Sequence, residues 1–141
     1  MHRTTILTIA TPGRAMVEIT REIAAWVERS GIAEGLLTVF CRHTSASLVI
    51  QENAAQAVRS DFLAWLEKVA PEGQHYDHDE EGPDDMPAHL KMALTGVSLA
   101  IPVIERRMAL GTWQGVFLVE HRARPHTREI ALHLSGDCSG G

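Results

Sequence analysis

The stretch HYDHDEEGPDDMPAHLK (residues 75–91) holds three histidines and six acidic side chains. Its first part, residues 76–83, has no apolar period and cannot build a core, so the core must come from the segments on either side. The rest reads as a helix start: Asp84 or Asp85 can cap, Pro87 suits the first turn and Gly96 the stop. With a helix beginning near Met86, Asp85 and His89 are four apart and share a face. A carboxylate beside an imidazole at a helix N-terminus, fed by a histidine-rich loop, can bind a metal ion or handle protons. This stretch is therefore the expected active centre.

The flanks carry the apolar pattern. Residues 3–10 are β-branched and end at Pro12-Gly13, which gives a strand and a turn. A short strand over 15–19 leads to Thr20 as N-cap, and Ile23, Trp26, Val27 and Ser30 recur at helical spacing before Gly31. GLLTVFCR, from Gly35, is apolar on both faces and reads as a strand buried on both sides. His43 to Ser47 then form either a hairpin turn or part of a strand. Val58, Phe62, Trp65, Leu66 and Val69 give the strongest helical period, with Asn53 as cap and Asp61 beside the stripe. Trp26 and Trp65 are expected in the core. After residue 96, VSLAIPVI is a strand that Pro102 pushes toward an edge. Arg106-Arg107 turn, 110–120 is a glycine-kinked strand, and 127–134 alternates. The result is one α+β domain over residues 1–136, with about seven strands and two or three helices, and a disordered tail at 137–141.

At 141 residues and 45% hydrophobic, the chain can bury a core of its own. A net charge of −5 argues against a nucleic-acid partner. No apolar run approaches the roughly 20 residues of a membrane span. The N-terminal stretch is too short in its apolar part for a signal peptide, and the two cysteines make no disulfide framework. A reduced, cytoplasmic protein is expected.

HTSASLVIQENA (43–54), YDHDEEGPDDMPAHLKMALTG (76–96) and LGTWQGVFLVEHR (110–122) together resemble the YjbQ-like family, and the likeness runs over nearly the whole chain. It implies a β-sandwich with helices outside, assembled as a homotrimer. It also implies a secondary thiamine-phosphate synthase, which joins a pyrimidine diphosphate to a thiazole phosphate and releases pyrophosphate. On that basis His43, Glu52, Asp85 and His89 are the expected catalytic residues. Thr44, Ser45, Asn53, Trp113, Gln114 and Arg122 would meet a small anionic or phosphorylated substrate. Arg106 departs from the family pattern, standing where many members have glycine.

The residues themselves leave alternatives open. His43 is a ligand or acid/base group, or a turn histidine satisfied by its hydroxyl neighbours. Thr44, Ser45 and Ser47 are phosphate donors or strand-end residues. His43, His78 and His89 could hold zinc, manganese or magnesium, yet Asp84-Asp85 is also simply a good cap. Trp113-Gln114 either stack on a heteroaromatic ring or pack at a subunit contact. Two rival functions remain beside the synthase: a metal-dependent phosphoester hydrolase with Glu52 or Asp85 as base, and a trimeric metabolite-binding protein without turnover.

Overall fold

Alternation in the sequence becomes alternation in space. Strand β1 (His2–Thr11) turns Leu7, Ile9 and Thr11 inward and leaves Ile6 and Thr8 outside. The computed structural model describes residues 1–138. The chain reverses at Gly13, where a Cβ would lie 2.6 Å from the Ala123 carbonyl oxygen, and enters β2 (Ala15–Glu18). Helix α1 (Thr20–Ser30) buries Ile23, Val27 and Ser30, and Gly31 stops it at a φ of 78°. Then follow β3 (Ile32–Cys41), β4 (Ala46–Glu52), α2 (Gln56–Val69), α3 (Asp85–Thr95), β5 (Ser98–Ile104), β6 (Arg107–Met108), β7 (Gln114–Glu120) and β8 (His126–Cys138).

The strands form two antiparallel sheets, ordered β1-β8-β3-β5-β6 and β2-β7-β4. Residues 42–45 carry the chain from the first sheet to the second, so β3 and β4 are not a hairpin. Leu37, Val39, Ile130, Leu132, Leu134 and Ile101 of the large sheet meet Leu48, Val116 and Leu118 of the small one, with α1 closing the core. The β3–β8 contact is close: a Cβ on Gly35 would sit 2.3 Å from the Ser135 carbonyl oxygen, beside a register shift at Ile32/Glu34.

Several expectations change. Among the described residues there are eight strands, one more than the roughly seven expected, and three helices, within the expected two or three. Strand β8 runs through Asp137 and Cys138, which were expected in a disordered tail; residues 139–141 lie outside the described residues. Strand β3 is buried on one face only, because Leu36 and Phe40 stay 49% and 44% exposed. Helix α2 buries little beyond Leu66 and Ala70 at its end; Trp65 is half exposed, and Asp61 points to solvent. Helical periodicity reports an apolar stripe, but a second layer must exist to cover it. The first residues outside α1 and α2 are Ile19 and Ala55, neither with a side-chain cap, so Thr20 and Asn53 do other work. Cys41 and Cys138 are both free thiols. No helix is long and apolar enough to cross a membrane.

Candidate metal centre

Asp85 opens α3 and His89 follows one turn later, so both side chains point the same way. His78 arrives from the preceding loop. Asp85 Oδ2 lies 2.8 Å from His78 Nε2 and 3.1 Å from His89 Nε2. The three candidate ligand atoms all fall within 4.8 Å of one another. Asp85 is buried, His89 partly so, and His78 faces solvent. Beside them a cleft of about 400 Å³ is lined by Tyr76, His78, Gly82 and Met86.

The expected caps serve a different purpose. Asp84 and Asp85 grip Arg122: Nε donates to Asp84 Oδ2 at 2.9 Å and Nη1 to Asp85 Oδ1 at 2.7 Å. Arg122 Nη2 donates to the Glu81 carbonyl at 2.9 Å. With three of its donors so committed, Arg122 positions the loop and the start of α3. Burial works to raise the Asp84 carboxyl, but Arg122 and the Ala123 amide outweigh it and hold it at about 2. At Asp85 burial is likewise outweighed, by His78, His89 and Arg122, and the carboxyl is lowered.

His89 fits a cation in this cluster. Its Nδ1 lies 2.6 Å from the Thr44 carbonyl oxygen, which can only accept, so Nδ1 carries the proton. A neutral ring then aims the Nε2 lone pair at Asp85 Oδ2, lone pair against lone pair. Only a second proton or a metal ion between them makes that contact favourable. Tetrahedral bonds of about 2.0–2.1 Å set ligand atoms roughly 3.3 Å apart, and the two Asp85 contacts fall within about half an ångström of that. The carbonyl that orients His89 is the kind of outer partner metal-binding imidazoles commonly use.

His43 stands outside this cluster. Burial, with Arg128, lowers its pKa, and the neutral ring accepts the Glu129 amide on Nε2 at 2.7 Å. Thr44 reaches the centre through its backbone, and the Ser45 hydroxyl accepts Arg128 Nη2 at 2.9 Å. Glu52, Asn53, Trp113 and Gln114 gather elsewhere. Ala46 pairs with Glu120 near the centre, whereas Glu52 pairs with Gln114 at the far end of the same β4–β7 ladder. At about 3.3 Å per residue the two ends are roughly 20 Å apart. There the Glu52 carboxylate accepts the Ala55 amide, and Asn53 donates to Glu18 Oε2 and to the Trp113 carbonyl. Gln114 Oε1 takes the Gly111 amide, and the Trp113 ring is 62% exposed.

Beneath the centre lies a buried polar layer whose Glu120 and His121 belong to the family-like motif of residues 110–122 but had no expected role in the site. Glu120, fully buried, accepts Arg128 Nε and the Thr11 hydroxyl. Ser47 Oγ lies 2.8 Å from His121 Nε2, and Lys91 pairs with Glu67. The available signal was Glu120-His121 directly following an apolar strand.

A family model described as UPF0047 protein YjbQ-like matches residues 5–137. The chain belongs to the YjbQ-like UPF0047 family. A UPF0047 protein of Synechocystis is 53% identical over 94% of this chain and 90% of its own length. The YjbQ protein of Escherichia coli is 39% identical, over 93% and 96%. A YbjQ-like protein of unknown function from Sulfolobus solfataricus superposes with a TM-score of 0.86 at 25% identity, covering 97% of this chain and all of that one. An uncharacterized member from Clostridium acetobutylicum gives 0.87 at 32%, covering 93% and 99%. These family members are named only as UPF0047 proteins or described as uncharacterized or of unknown function. That overturns the thiamine-phosphate synthase expected from the resemblance.

Proposed function

We propose that this chain is a divalent transition-metal-binding protein whose ion is held by His78, Asp85 and His89 and carries a small anionic ligand. The convergence of those three donor atoms supports the reading. Two imidazoles and one carboxylate suit zinc or manganese better than magnesium, which prefers oxygen. His78, on the solvent side of the cluster, also lines the cleft with Tyr76 and Met86, so an ion held there would be within reach of a ligand in that cleft. When bound, the ion supplies positive charge that polarises an anionic group placed there. The protein's own part is orientation: Thr44 fixes the His89 tautomer, and Arg122 fixes Asp85.

The test is zinc titration of chelator-treated protein by calorimetry. One ion per chain is expected, with affinity reduced at least about 100-fold in His89→Ala, beyond the roughly 10–100-fold typical of outer-partner losses. Equal affinity in the variant, or no uptake by the wild type, would refute the site.

The assembly implied by the resemblance also belongs here. We propose that the outer face of the five-stranded sheet is covered by further copies in a trimer. Ile6, Leu36, Phe40 and Ile104 support this, being 44–51% exposed on one face.

A further inference from the structure

A second candidate site lies away from the metal centre, between α1 and the β5–β6 hairpin. Here a groove of about 670 Å³ has an apolar floor of Ala24, Ala25, Met108 and Leu110. Three arginines line it: Arg21 from the first turn of α1, and Arg106 and Arg107 from the hairpin. Among the described residues, none of these three guanidinium groups pairs with a carboxylate, and the other arginines without such a partner, Arg3, Arg29 and Arg124, do not line this groove. Glu28 and Glu105 also line the groove, yet three positive charges against two give it a positive balance in a chain of net charge −5.

The hairpin holds Arg106 in place at a conformational disadvantage. Ile104 pairs with Arg107 across the sheet, so Glu105 and Arg106 are the loop of a two-residue turn, with φ of 51° and 68°. Such turns favour asparagine and glycine because both residues are left-handed. A side chain with Cβ is disfavoured at both positions, and the long Arg106 lines the groove nonetheless. The Arg106 amide donates to the Ala33 carbonyl at 3.0 Å, tying the turn to the start of β3. Disfavoured backbone that carries a charged group into a cavity is the pattern of a binding position.

We infer that this groove binds a small phosphorylated molecule with a flat ring, of the nucleotide type. The phosphates sit among Arg21, Arg106 and Arg107, where planar guanidinium groups match phosphate oxygens. The ring lies on the alanine, methionine and leucine floor.

Calorimetric titration of the full chain with ADP, and separately with inorganic pyrophosphate, tests this. ADP binding saturates at one per chain, and pyrophosphate binds at least about tenfold more weakly because it leaves the floor bare. Arg106→Gly and Arg107→Ala each weaken ADP about tenfold or more. Arg106→Gly also keeps or raises the melting temperature, by roughly 3 °C, since glycine relieves the turn. His89→Ala leaves ADP affinity unchanged. The inference fails if ADP does not saturate at millimolar concentration or if both arginine variants bind as the wild type does. It also fails if pyrophosphate binds equally well, or if His89→Ala abolishes binding and so assigns the nucleotide to the metal centre.

Discussion

His121 is a histidine that the fold keeps uncharged. Burial is the main cause, and Lys91 on α3, Arg128 on β8 and Arg14 add to it against the opposing Glu120, so its pKa falls to about 3. An unfolded imidazole titrates near 6.5. Between about 6.5 and 3 the unfolded chain binds the extra proton, so stability falls as the pH drops through that window and is unaffected by this group above it. The full loss from this one side chain is on the order of 5 kcal/mol. Urea unfolding at successive pH values should show that slope, and His121→Gln should flatten it. An unchanged slope would place the acid sensitivity elsewhere. The apolar strand before it was the one sequence signal for His121; its pairing was not legible, because its partners Ser47 and Lys91 come from other elements. The Asp85–His89 pair was legible, since helical spacing alone sets it.

At the scale of elements, α3 and the loop before it depend on Arg122. The guanidinium spans Asp84, Asp85 and the Glu81 carbonyl, and Asp85 is 3% exposed at its side chain. Arg122→Ala leaves two carboxylates without their main partner and should cost about 3 kcal/mol. Arg122→Lys should rescue little of it, because one ammonium cannot bridge three acceptors in a fork. Denaturant unfolding measures the loss, and zinc affinity should fall with it. A wild-type stability for Arg122→Ala would mean that α3 starts without this clamp. The helix was legible from Pro87 and Gly96. That its two aspartates hold an arginine 37 positions or more away was not, because capping and ion pairing use the same residues.

For the whole molecule, the uncovered sheet face is the outstanding feature. Leu36 and Phe40 gave the two-sided apolar pattern of a fully buried strand, and a single chain buries only one side. If copies cover that face, light scattering should report three times the 15.5 kDa chain mass. Phe40→Asp, directed outward from the middle of the face, should then yield a folded monomer. A wild-type monomer would show that the face is simply exposed.

The sequence by itself determined the strand and helix periods, the helix start at Asp84-Asp85 and the pairing of Asp85 with His89, because these are local consequences of backbone geometry. Only the tertiary structure decided which distant groups meet. The register of β4 against β7 sends Glu52, Asn53, Trp113 and Gln114 to one end and Thr44, beside the Asp85–His89 pair, to the other. No local pattern encodes that division, since register is fixed by which faces the two sheets bury against each other.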